Sequence, residues 1–268
     1  MLTASAFLLP SVPTMLIDEQ RGDYTEMIEA VTAAGDRTLA ESPAAIVALS
    51  SHWRSASSFL ADDGRRHRSV IDLPGFGVEP RHDCAGRPAL ARALVAAAAG
   101  AGVRAACARH GLDSGVTVPL HFFARARSVP VVPVSVGEGP PEEHRAWGAA
   151  LRAALEARAE RVAFVAGGAL SFSLHDFNLK RDVPEAVELD ERVLAALARG
   201  AWDEIAALPA RLRERARPDA DLRHLEVLRG FLGGGARGET IAHETSPGVG
   251  TALVEFLLAP PGGAGRGR

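Results

Sequence analysis

The side chains able to do chemistry fall in a few short stretches: Ser11; Ser50, Ser51 and His52; Asp113 and Ser114 ahead of His121; Ser171, Ser173 and His175; and Glu239. Hydroxyl, imidazole and carboxylate groups act as nucleophiles, move protons or hold metal ions. None of these stretches has the spacing of a metal motif. Ser171, His175 and Asp176 supply the three groups of a hydrolytic triad. They crowd into one short stretch with no Gly-x-Ser-x-Gly elbow, which argues against that chemistry. The glycines at 233–238 and at 248–250 lack the strand–loop–helix setting of a phosphate cradle. By residue type alone His52 and His110 read as loop histidines, and the Arg and Glu run at 208–216 as a solvated helix face.

The elements that must position these groups alternate between short apolar runs and helical patterns. Strands are expected at 5–9, 45–49, 103–108, 129–136, 161–166, 239–243 and 250–258. Helices are expected at 23–39 (capped by Asp23), 87–101, 142–158, 186–199, 201–216 and 219–233, with 109–115 a loop. This alternation predicts an α/β fold: one domain over 1–258, with a central mixed sheet and helices on both faces. The helices from 186 to 233 are placed as a cap over one end of the sheet. Residues 259–268, rich in Gly and Pro, are expected to be a disordered tail. The candidate groups lie at the carboxyl ends of the expected strands, where open α/β sheets gather ligands.

Composition narrows the function. The 268 residues carry 47% hydrophobic and 24% charged residues, enough for a sizeable core. A net charge of −3 advertises neither nucleic acid nor an anionic membrane as partner. No apolar run reaches bilayer length, and no basic leader opens the chain. Two cysteines in separate segments, Cys84 and Cys107, form no disulfide framework, which predicts a cytoplasmic protein.

Seven segments in order carry a resemblance. They are Ala6-Phe-Leu-Leu-Pro10, Leu49-Ser-Ser-His-Trp53, Leu112-Asp-Ser-Gly-Val-Thr-Val-Pro-Leu-His121, Val129-Pro-Val-Val-Pro-Val134, Gly168-Ala-Leu-Ser171, Arg223-His-Leu-Glu-Val-Leu-Arg-Gly-Phe-Leu-Gly233, and Gly238-Glu-Thr-Ile-Ala-His running on to Gly250-Thr-Ala-Leu-Val-Glu-Phe256. Together they resemble the class III extradiol ring-cleavage dioxygenases of the protocatechuate 4,5-dioxygenase catalytic-subunit type. The 2-aminophenol 1,6-dioxygenase subunits are nearest. The resemblance implies Fe(II) held by two histidines and one carboxylate, open to a catechol or aminophenol and to O2.

Carried over by position, His52 matches a histidine ligand and Glu239 the carboxylate, with Glu244 the alternative in a slipped register. The other histidine ligand falls on Ser11, and the acid–base histidine on Phe172. Relatives often carry a histidine where Ser114 stands, whereas His121 matches the nearer ones. His175, His110 and His121 are the remaining candidates for proton transfer. Two readings follow. One is an Fe(II)-dependent dioxygenase with a partly eroded site, acting on an aromatic substrate with O2. The other is a non-catalytic subunit without its own metal, beside a catalytic sister. A homo-oligomer or such a heteromer is expected, with a small-molecule-binding protein as a third possibility.

Overall fold

The computed structural model describes residues 1–73, 77–78, 82–124 and 128–258, so the expected tail at 259–268 lies outside the described residues. Eight strands form one mixed sheet in the order β6-β3-β7-β2-β8-β1-β10-β9. They are β1 (Leu2–Leu9), β2 (Ala45–Ser55), β3 (Phe59–Asp62), β6 (Ala105–Ala108), β7 (Val131–Gly137), β8 (Val162–Gly167), β9 (Glu239–Ser246) and β10 (Val249–Leu257). A separate two-stranded ribbon pairs β4 (Arg66–Arg68) with β5 (Asp83–Ala85). The central strands β7, β2, β8 and β1 run parallel, and β10 and β9 add an antiparallel edge.

Period-two alternation divides the core. Ala6 and Leu8 of β1, Val47 and Leu49 of β2, and Phe164 and Ala166 of β8 point to one face. Phe7 and Leu9, Ile46 and Ala48, and Ala163 and Val165 point to the other. The first face is covered by α3 (Pro88–Gly100), α5 (Pro141–Glu156), α7 (Pro184–Arg199), α8 (Trp202–Ala206), α9 (Ala210–Ala216) and α10 (Arg223–Leu232). The second lies under α1 (Thr14–Arg21), α2 (Glu26–Ala40) and α4 (Ser114–Phe123). The short α6 (Leu174–Asn178) follows β8. The chain is therefore one α/β domain with helices on both faces. The helices expected to cap one end form part of a face layer instead, because the apolar sides of α7 and α10 bury against the sheet.

Other departures have local causes. Thr25, not Asp23, caps α2, its hydroxyl accepting the N–H of Ile28 at 3.4 Å. Pro209 divides the stretch 201–216 into α8 and α9. The expected loop at 109–115 ends as a helix opens at Ser114; Val116, Thr117, Val118 and Pro119 mask it, being poor helix formers. The helix expected from 219 begins at Arg223. Ahead of it, Ala220, Asp221 and Leu222 all take positive φ, between 47° and 60°.

Helices α5 and α10 cross at glycine on both sides. A Cβ on Gly148 would lie 1.9 Å from the Val227 carbonyl oxygen, and one on Gly230 would lie 2.0 Å from that of Arg145. Gly148→Ala must therefore push two backbones apart. A loss of about 3 kcal/mol is expected by denaturant titration, and a loss below about 1 kcal/mol would contradict so close a crossing.

Candidate functional site

The carboxyl ends of β1, β8 and β2 lie side by side: Leu9 pairs with Gly167, and Gly167 with Ser50. Here β2 leaves its regular ladder with β7. Ser50 pairs with Ser135 and Arg54 with Val136, so Ser51, His52 and Trp53 bulge between consecutive partners. Ser50 stabilises the bulge. Its hydroxyl accepts the N–H groups of His52 (3.1 Å) and Trp53 (3.2 Å) and donates to Asp113 (2.7 Å). A Cβ on Gly115 would come within 2.2 Å of that hydroxyl, so glycine is needed beside it.

The bulge aims His52 into a polar network. Its Nδ1 lies 2.9 Å from Asp72 Oδ2 and 2.6 Å from Ser114 Oγ, and Ser114 donates to the same carboxylate at 2.7 Å. Asp72 so placed favours the proton on Nδ1, leaving Nε2, buried and unpartnered, as the free position. Burial lowers the His52 pKa, but the bond to Asp72 and the charges of Asp219 and Asp113 outweigh it, so the net shift is upward. Burial opposes the Asp72 carboxylate, and the bonds from His52 and Ser114 outweigh that, lowering its pKa. A cavity of about 190 Å³, walled mostly by apolar side chains including Val70, Leu73 and Val118, shares Asp72 and Ser114 with this network.

A second buried cluster lies in the electrostatic field of His52. Asp219 Oδ2 accepts from Ser51 Oγ (2.6 Å) and from the N–H of Ala169 (3.0 Å), while its Oδ1 has no partner. His224 is fully buried with both ring nitrogens unpartnered, its ring lying 2.7 Å from a Cβ placed on Gly168. Burial pushes its pKa down to about 4, against the charge of Asp219 and with those of His52 and Arg54. The imidazole is neutral at pH 7. The hydroxyl of Ser11, just past β1, is likewise buried without a partner. The Phe172 ring lies 5.8 Å from that of His52. Buried polar atoms are nearly always bonded, so a group of orphans at one strand end marks a place for a ligand or water.

The structure distributes the expected residues unevenly. His110 joins the network: its Nε2 lies 2.9 Å from Asp113 Oδ2 and its ring stacks on Trp53 at 4.4 Å. Glu239 does not come near His52. It is exposed on edge strand β9, opposite Glu255, which in turn faces Phe7 of β1. Four strand spacings separate β9 from β2, about 19 Å at roughly 4.8 Å each. The gapless placement on the terminal strand overlooks that β9 is the sheet's outer edge. Glu244 lies on the same strand, opposite Thr251. His121 pairs with Glu19 of α1 at 2.6 Å, and His175 is exposed on α6. Sequence reasoning misses His224, Asp219 and Asp72. His224 stands within one of the seven resembling segments, where its pattern signals only a helix, and nothing in the spacing links Asp72 to His52.

Residues 5–254 match the family described as the catalytic LigB subunit of aromatic ring-opening dioxygenase. The chain belongs to this family. Its members perform dioxygenase-type ring cleavage, which fits a ligand site at the strand ends. A similar solved structure is that of uncharacterized protein JW3007 from Escherichia coli K12. The two are 19% identical, with a TM-score of 0.70 over 94% of this chain and 99% of that one. That likeness concerns the fold alone. No curated protein matches the chain at a significant level. Among the described residues, no helix is long and apolar enough to cross a membrane.

Family membership implies ferrous iron, and the residues present do not fit it. His52 and His224 offer imidazole nitrogen, but Ser11 offers only a weak neutral hydroxyl. Asp219 has an unpartnered Oδ1, but its Oδ2 is committed to Ser51 and Ala169. Among the described residues, no three His, Cys, Asp or Glu side chains group so as to hold one ion. What the arrangement does offer is a neutral imidazole, an oriented imidazole and an aromatic face.

Proposed function

We propose that this chain is a ring-opening-dioxygenase subunit that binds a small hydroxylated or aminated aromatic ring at the strand-end rim, while a sister subunit supplies the iron and the ring-opening step. The observation that carries this reading is the surroundings of His52. Phe172 packs against it and cannot move a proton, and the third donor position holds Ser11. The apolar cavity beside Asp72 and Ser114 suits a flat ring with a hydrogen-bonding edge. A second reading, in which the chain opens the ring by itself with iron bound at His52 and His224, draws on their unpartnered ring nitrogens.

Calorimetry with catechol and 2-aminophenol on the chain alone tests the ligand. Saturable binding that His52→Ala weakens by about tenfold is expected, given the loss of one oriented polar contact. Absence of binding, or binding indifferent to His52→Ala, would remove the rim as the site.

A further inference from the structure

Away from the His52 rim, a cavity of about 560 Å³ is bounded by Asp63, Arg65, Gly86, Pro88, Ala89, Arg92 and Arg109. Three arginines and one aspartate line it, a local excess of positive charge in a chain of net charge −3. Asp63 bonds Arg92 Nη1 and Arg109 Nε, each at 3.0 Å. It holds the two side chains in place through one nitrogen each and leaves their remaining N–H groups free. No carboxylate pairs with Arg65 among the described residues, and its carbonyl fixes the N–H of Gly86 at 2.9 Å.

The same cavity receives the first turn of α3. Pro88 stands at its start, no side chain caps it, and the first turn carries no acidic residue. The Arg87 side chain turns away to Glu160 and the Ala44 carbonyl. The N–H groups of Ala89 and Leu90 lack intrahelical acceptors and lie at the positive end of a 13-residue helix. Gly86 keeps the wall flush: a Cβ there would lie 2.4 Å from Nε2 of His67, a buried ring nitrogen without a partner.

We propose that this cavity is a binding site for a phosphate-bearing small molecule. A phosphate accepts several hydrogen bonds at once, matches the planar fork of arginine, and is stabilised at a helix N-terminus. The site is independent of the aromatic-ring reading. It does lie one residue from the His52 network, since Arg109 precedes His110 and Asp63 follows Asp62, which accepts the N–H groups of His110 and Gly111 at 2.8 Å each.

Calorimetric titration with inorganic pyrophosphate at fixed ionic strength tests it. Ala89→Glu places a carboxylate at an exposed position of the first turn, where it favours the helix but repels an anion. One-to-one binding is expected, weakened about tenfold or more by Ala89→Glu and by Arg65→Gln/Arg92→Gln, and unchanged by Arg192→Gln on a remote helix. No saturable binding below about 1 mM, or equal affinity in Ala89→Glu, would overturn the proposal. So would capture by phosphatidic acid vesicles without pyrophosphate binding, which would assign the phosphate to a membrane.

Discussion

At pH 8 the Asp190→Asn variant unfolds at higher denaturant than the native chain, and the gap closes as the pH falls towards 4. Asp190 sits on α7, almost wholly buried. Its Oδ1 accepts the N–H of Ser171 at 2.9 Å and its Oδ2 meets the Ser171 hydroxyl at 3.0 Å. A Cβ on Gly250 would lie 1.6 Å from Oδ2, so the carboxyl presses directly on the β10 backbone. Burial raises its pKa to about 7, against the bonds from Ser171 and with the charge of Glu191. The folded state therefore holds a proton that the unfolded chain releases near pH 4. The stability that comes with this proton is complete below about pH 4, declines between pH 4 and 7, and is absent above. A carboxyl that titrates near pH 7 when folded and near pH 4 when unfolded costs the native chain about 4 kcal/mol at pH 8. Asparagine keeps both contacts without the charge, so its stability relative to the native chain should rise across this window. A constant offset at every pH would show that the carboxyl does not titrate there.

His224→Leu should raise stability and abolish ligand binding together. The native side chain buries two ring nitrogens with no partner, and orphaned polar groups of this kind cost about 1–3 kcal/mol each. Leucine is of similar size and brings no polar atom into the space beside Gly168. A gain of about 1–2 kcal/mol is expected in the ligand-free protein, with loss of catechol binding. Such an exchange of stability for function is what a site residue shows. A destabilised variant that still binds the ring would mean that His224 serves packing alone.

Much of the scaffold is legible in the sequence because burial leaves a strong mark. The apolar runs of β1, β2 and β8 can only be strands covered on both sides, and their alternation with helices sets the fold class. The helix opening at Ser114 is hidden by Pro119 and its β-branched neighbours. Its position depends on a contact invisible along the chain, since the Gly115 carbonyl oxygen would lie 1.8 Å from a Cβ on Gly167 of β8. His52 can be picked out only through the resemblance of the segment Leu49–Trp53, since by residue type alone it reads as a loop histidine. Its supports cannot. Asp72 comes from a segment with no helix or strand signal, and Asp219 is held by Ser51 from 168 residues away. Glu239 shows the converse, a residue matched by position whose strand lies at the wrong edge of the sheet.

Anaerobic titration of the chain with Fe(II), followed by desalting, metal analysis and O2 uptake with catechol, tests the central claim most directly. Two imidazoles, a hydroxyl and the free oxygen of Asp219, which do not group around one ion among the described residues, should retain well under one equivalent of iron and support no O2 uptake by this chain alone. One tightly held equivalent, lost in His52→Ala and accompanied by O2 consumption, would contradict the account and make the chain a complete ring-opening enzyme.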